Sequence, residues 1–204
     1  MKTITQKIDV YDFEDLQKSE NKSIKENVLD AWRRGDSPNN DMDFFLEDLQ
    51  NEIIPQKYPI FYDFEINYSG FWCQGDGASF TCKLYDSKLK DLLSMLNLKP
   101  SSKLLNSIEY VDIRIERICG IYCHRNTVTP SVDLRMEFYY PLSDDLDDLQ
   151  NEIEDKLEIW KDNLCEEIYK MLEEHYEYML SDEYILEHIE ANEYEFTEDG
   201  QKVK

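Results

Sequence analysis

Two short loops hold most of the residues able to do chemistry. One is YSGFWCQGDGASFTC (Tyr68–Cys82) and the other CGIYCHRNT (Cys119–Thr127). Asp76, Ser79 and His124 are the residue types of a hydrolytic set. Such a set needs a nucleophile within reach of the histidine and a third group to orient it. No G-x-S-x-G elbow is present. QGDGAS also lacks the lysine of a phosphate-binding loop and precedes a strand-like run, not a helix. Gly75 and Gly77 therefore read first as turn residues able to take positive φ. Cys73, Cys82, Cys119 and Cys123, with His124, contain enough ligands for a zinc site drawn from two neighbouring loops. The C-x3-C spacing is wider than the usual knuckle, and a reduced cysteine is commonly a small buried hydrophobe. DDLDD (Asp144–Asp148) clusters oxygens as a hard cation requires, but no glycine-turned calcium loop surrounds it. It suits the positive end of a helix dipole instead. No metal or other cofactor is expected.

The elements that must position these loops show in the periodicity. Residues 4–13 alternate loosely and suggest a short strand. Asp15–Arg34 reads as a helix ended by Gly35. SPNND (Ser37–Asp41) is turn chemistry. Asp43–Ile54 reads as a second helix closed by Pro55. Strand-like runs follow at Ile60–Tyr68, Ala78–Tyr85, Ser107–Ile118 and Val128–Tyr139, interrupted by a helix at Lys88–Leu98. In the third run Ile108, Tyr110, Asp112, Arg114 and Glu116 fall on one face and Val111, Ile113 and Ile115 on the other. In the fourth, Val132, Leu134, Met136 and Phe138 oppose Asp133, Arg135 and Glu137. Period-two alternation of this kind belongs to a sheet with one wet face. The last two runs are expected to form an antiparallel hairpin with a long loop.

From Ser143 the period changes. Leu146, Leu149, Ile153, Leu157, Trp160, Leu164, Ile168, Leu172, Tyr176 and Met179 recur at steps of three and four. That predicts one amphipathic helix of about 36 residues, roughly 55 Å long, with Ser143 as its N-cap. A short helix capped at Ser181 or Asp182 should run to about Ala191. EYEF (Glu193–Phe196) suggests a final edge strand, and Asp199–Gly200 ends the patterned part.

A chain of 204 residues, 41% hydrophobic and 13% aromatic, can build a core as a single domain. The expected parts are an N-terminal helical part over about 1–57, a sheet over about 58–140 and an acidic helical part over about 143–199. The net charge of -23 excludes a protein that neutralises nucleic-acid phosphates, and it opposes docking on anionic lipid. It favours a basic partner. The N-terminus has no apolar signal core, no run approaches the length of a membrane span, and the five cysteines are an odd number. A cytoplasmic protein with reduced thiols is expected.

The charge is uneven. Residues 143–199 carry 22 acids against Lys156, Lys161 and Lys170, so -19 of the -23 lies there. One reading is a solvated helix face. The other is an acidic surface that stands in for a nucleic-acid backbone. From Asp144 to Glu177 the net charge is -11, about one charge per 5 Å of helix against one per about 1.7 Å in duplex DNA. A mimic would need a second acidic surface or a homodimer. The partner-binding residues expected on this reading are Asp147, Asp148, Asp155, Glu158, Asp162, Glu166, Glu173 and Glu177.

SGFWCQGDGASF (Ser69–Phe80) resembles a motif of uncharacterised acidic proteins of phages and prophages, some of them labelled antitoxins of toxin–antitoxin systems. KIDVYDFEDL (Lys7–Leu16), IYCHRNTV (Ile121–Val128) and LEEHYEYMLSDEYILEHIEANEYEFTEDG (Leu172–Gly200) are similar to further segments of the same family. The family's serine at the position of Cys73 and aromatic near Cys123 count against zinc. Shared polar residues at Gln74, Asp76, His124 and Asn126 imply two loops meeting at one end of the sheet, which makes these four the candidate loop site. The resemblance also implies a mobile-element origin.

The reading reached is an α+β fold: an antiparallel sheet of four or more strands packed against the long C-terminal helix, with N-terminal helices. The function expected is a non-enzymatic, phage-encoded inhibitor of a basic, nucleic-acid-binding host protein. A nuclease or other defence complex is the expected target, as for anti-CRISPR or anti-restriction proteins acting as DNA mimics. The alternatives are a small enzyme or ligand-binding protein using the Gln74–Asp76 and His124 loops, and an antitoxin-like neutralising partner.

Overall fold

The computed structural model describes residues 7–35, 39–120, 122–136 and 143–203. They fall into two compact units, residues 43–173 and residues 1–42 with 174–204.

Alternation builds the larger unit. β1 (Phe61–Tyr68), β2 (Ala78–Leu84), β3 (Ile108–Arg117) and β4 (Val128–Met136) form one antiparallel sheet in the order β1-β2-β3-β4. Register aligns Ile66 with Phe80, Cys82 with Ile115 and Val111 with Leu134, so one face is apolar. The opposite face carries the ion pairs Asp63–Lys83, Asp112–Arg114 and Asp133–Arg135. A register shift between Ile108 and Tyr110 pairs Ile108 with Met136, so Ile108 leaves the face of Tyr110 on which plain alternation places it. Residues 137–139 of the expected fourth strand lie outside the described residues.

The apolar face is covered by α7 (Ser143–Met179), a 37-residue helix that matches the sequence expectation. Its residues from Glu174 onward belong to the smaller unit. Leu149, Ile153, Leu157, Leu164, Ile168 and Leu172 are buried along one stripe. Trp160 stacks on Phe61 at 4.8 Å and meets Phe80 edge-on at 5.6 Å. Two short helices, α5 (Leu89–Met95) and α6 (Ser102–Ser107), connect β2 to β3. The second escaped sequence analysis because six residues show no period, although Ser101 caps it by accepting from the Leu104 N–H.

Pro55 does not close the helix before the sheet. α3 (Asn39–Asp48) passes through a π-turn (Leu49–Ile53) into α4 (Ile54–Lys57). A proline ring clashes with the carbonyl four residues back and has no N–H to offer it. The wider π-turn just before Pro55 accommodates both defects. The helix also starts at Asn39, inside the expected turn, whose residues 37 and 38 lie outside the described residues.

Both sheet edges are partly blocked by glutamine side chains. The Ile66 N–H of β1 donates to Gln50 Oε1 at 3.0 Å, and the Leu134 N–H of β4 donates to Gln150 Oε1 at 2.6 Å. β1 is bulged at Asp63, which sits at φ 59°, and β4 carries Pro130. Such features blunt the edge of a sheet.

The smaller unit packs α1 (Phe13–Leu16), α2 (Lys22–Gly35) and α8 (Asp182–Ala191) around Leu16, Val28, Leu29, Trp32, Ile185, Ile189 and Phe196. The helix expected over Asp15–Arg34 is broken after Leu16. The Asn21 side chain donates to the Asp15 carbonyl at 2.9 Å, and a 3-10 turn at Ser19–Asn21 intervenes. Polar side chains compete with helical backbone bonds in this way. α8 begins after Ser181, as expected. The strands expected near residues 4–13 and 193–196 reduce to isolated bridges, Tyr11 to Phe196 and Phe196 to Lys202, with residues 4–6 outside the described set. Gly200 does not end the structure. It sits at φ 83°, and a Cβ there would lie 2.5 Å from the Asn27 carbonyl oxygen.

Candidate functional site

The two loops do meet. β1–β2 and β3–β4 turn at the same end of the sheet, and the loops border a shallow, open pit of about 180 Å³. Asp76 and Gly77 line it from the first loop, Ala78 from the start of β2, His124 and Arg125 from the second loop, and Cys165, Glu166 and Tyr169 from α7. Close packing makes the approach possible: a Cβ on Gly77 would stand 2.8 Å from the His124 Cβ. Gln74 and Asn126 are exposed and are not among the lining residues.

The polar groups of the pit have structural duties. Asp76 Oδ2 accepts from the Cys73 N–H at 2.6 Å, and the Asp76 N–H donates to the Cys73 carbonyl at 3.2 Å. His124 caps a 3-10 turn (Arg125–Thr127): its Nδ1 accepts from the Asn126 N–H at 3.3 Å. With Nδ1 used as an acceptor, the proton of the neutral ring belongs on Nε2. Ser79 is 1% exposed. Among the described residues no hydrogen bond joins His124 to Asp76 or Ser79, so a hydrolytic arrangement is not assembled. Burial pushes the Cys165 thiol up to about 12, which makes it inert as a nucleophile. Burial also raises the Tyr169 phenol, whose hydroxyl bonds the Trp72 backbone.

Zinc fares no better. Cys82 is in the core opposite Ile115, Cys73 is exposed, and Cys123 Sγ takes a 3.5 Å contact from the Arg117 guanidinium. Among the described residues no three His, Cys, Asp or Glu side chains converge on a possible ion position.

The acids of α7 behave in two ways. At about 100° per residue, Asp147, Asp148, Asp155, Glu158, Asp162, Glu166 and Glu173 fall within an arc of about 100°. Glu177 lies in the smaller unit. Three of these are already engaged. Glu158 and Asp162 approach Lys161 Nζ at 2.5 and 3.0 Å, and Glu166 approaches Lys170 Nζ at 2.9 Å. The bond from Lys170 holds the Glu166 carboxyl below the usual range. Glu167, next in line, pairs with Lys57.

Lys161 was not anticipated. It is fully buried, and its ammonium also donates to the Val128 carbonyl at 3.2 Å, at the start of β4. A signal existed: Lys161 follows Leu157 by four residues, on the buried stripe. The buried cation offsets the charge of Glu158 and Asp162, although their side chains stay partly exposed.

What remains is Glu173, alone on its part of the arc, and the dense start of the helix. Asp144, Asp145, Asp147, Asp148, Glu152, Glu154 and Asp155 make no ion pair among the described residues. Seven charges over eleven steps of 1.5 Å is one per about 2.4 Å, close to duplex DNA at about 1.7 Å. From Lys156 to Glu177 the net -4 is one charge per about 8 Å. Averaging along the helix had hidden this. Asp145, Asp148 and Glu152 line a groove of about 460 Å³ shared with Lys99 and Ser101.

Among the described residues no helix is long and apolar enough to cross a membrane. The model of a family described as a domain of unknown function, DUF8835, matches residues 50–182, which include the whole sheet and all of α7. No curated protein and no solved structure matches the chain.

Proposed function

The chain belongs to the DUF8835 family, and we propose that it is a non-enzymatic acidic binder that occupies the nucleic-acid surface of a basic protein. The observation that carries this reading is the run of carboxylates from Asp144 to Asp155 that make no ion pair among the described residues, at a linear charge density near that of duplex DNA. Asp144 and Asp145 serve the helix dipole. The dipole does not account for the five acids beyond the first turn. Concentrating like charge there costs stability through self-repulsion, and a basic partner would relieve it. Partly blocked sheet edges argue against partner binding by strand addition. The target class we propose is a nuclease or other nucleic-acid-binding defence protein of a host cell. The resemblance to phage proteins supplies that setting.

The reading narrows the partner-binding residues to Asp147, Asp148 and Asp155, joined by Glu152. The test is capture of host proteins at low and high salt by the wild type and by D147N/D148N/E152Q/D155N. The first-turn acids are kept, so α7 should still form. The expected result is capture of a basic nucleic-acid-binding protein that weakens steeply with salt and is lost in the quadruple variant. E166Q/E167Q, which alters acids that are already paired, should bind as the wild type does. Equal capture by the quadruple variant would refute the proposal.

A further inference from the structure

The loop end of the sheet differs from the rest of this strongly acidic chain. Glu166 there pairs with Lys170 and lies near Arg125, Glu116 pairs with Arg114, and Arg117 adds a further cation, so acids and bases are more nearly balanced than elsewhere. It also exposes three large apolar side chains: Trp72 at 61%, Ile118 at 63% and Tyr122 at 55%. Trp72 sits at φ 66°, a left-handed conformation that a bulky residue rarely takes. Hydrogen bonds between Cys73 and Asp76 and from the Ser69 N–H to the Gly77 carbonyl (3.1 Å) hold the turn in place. A strained, preorganised, exposed tryptophan is the kind of outlier from which function is inferred.

The pit described above lies beside it. Phe71, the neighbour of Trp72, is 5.6 Å from the ring of Tyr169, which lines the pit. Ala78, Cys165 and Tyr169 make the lining apolar, while Asp76 and Glu166 supply carboxylates. A buried indole wants an apolar slot and one acceptor for its N–H. The pit's volume of about 180 Å³ is on the scale of one large side chain, and it is open on its outer side. A knob and a hole side by side on one patch are what a two-fold contact between identical chains needs.

We propose that the loop end is a self-association surface, in which Trp72 of each copy enters the Asp76–His124–Tyr169 pit of a second copy. The more nearly balanced patch lets two chains of net charge -23 approach without opposing their acids. Salt should strengthen this association by screening the remaining repulsion. Binding of a basic partner through α7 should respond in the opposite sense, so the two readings fail separately.

The test is sedimentation equilibrium of the full chain across a range of concentration and salt, with acrylamide quenching of tryptophan fluorescence. The expected mass doubles from 24.4 kDa as concentration or salt rises. Quenching should fall in parallel, because Trp32 is buried in the monomer and Trp72 is the exposed tryptophan. W72G should weaken association by about thirtyfold or more, the scale of an interface hot spot. Its melting temperature should be unchanged or higher, since glycine accepts φ 66° without strain. A monomer at every concentration would overturn the proposal. So would a dimer that W72G leaves equally tight, or one in which Trp72 stays fully quenchable.

Discussion

Replacing Lys161 by methionine tests whether a cation fixes the join between α7 and the sheet. Methionine keeps most of the stem volume and removes the charge. Three contacts are lost, to the Val128 carbonyl, Glu158 and Asp162. A buried carbonyl left unsatisfied costs about 1–3 kcal/mol. Breaking a fully buried ion pair costs about 3–5 kcal/mol, but here Glu158, 49% exposed in its side chain, can recover water, while Asp162 Oδ1 is shut off from solvent and loses its cation. Removing the ammonium also ends its own desolvation cost. The net expectation for K161M is a loss of about 1.5–3 kcal/mol, and K161A should lose about 2 kcal/mol more by leaving a cavity. For a chain of this length each kcal/mol moves Tm by about 2–4 °C, so K161M should melt about 3–12 °C lower. Thermal melts followed by Trp160 fluorescence and by circular dichroism would report it, since Trp160 packs between α7 and β1. A K161M protein as stable as the wild type would refute the reasoning, showing that the buried charge contributes nothing net. Equal losses in K161M and K161A would refute the separation of charge from volume.

Two further outcomes concern the smaller unit. Gly200→Ala should lose about 2 kcal/mol or more, because alanine must take φ 83° and place a Cβ against the Asn27 carbonyl; urea titration measures it, and a loss below half of that would mean the turn simply moves. Burial lowers the pKa of His175, so folding favours its neutral ring and the unfolded chain takes up the proton first. That contribution is full above the unfolded value of about 6.5 and is lost as pH falls below it. Wild type should therefore lose more stability than H175Q between neutral and mildly acidic pH, a comparison that cancels the shared carboxylates; parallel profiles would exclude the effect.

The sequence by itself determined the regular elements. Strict alternation in β3 and β4 makes one face apolar, and the three- and four-residue recurrence of α7 admits no other long structure. Ser181 marked a helix start because an N-cap is a local device; Ser143, expected as the N-cap of α7, is instead its first residue, and its hydroxyl donates to Asp144 Oδ1 at 3.4 Å. The meeting of the two loops was legible only as an implication of shared polar residues. The rest depended on distant partners. Pro55 is a helix stop by local rules, and only the π-turn before it changes that. Gly77 reads as a turn residue, yet its lack of a Cβ is what lets His124 approach. The uniform acidic face of α7 also dissolved in three dimensions. Lys161, Lys170 and Lys57 engage carboxylates between Glu158 and Glu167; the first two pairs are local steps of three and four residues, while Lys57 comes from far away in the chain. Charge is a property of composition, but whether a charge is available to a partner depends on what folding places beside it. The density of acids between Asp144 and Asp155 is written in the sequence, but only the fold set Lys57 beside Glu167 and buried Lys161 between Glu158 and Asp162.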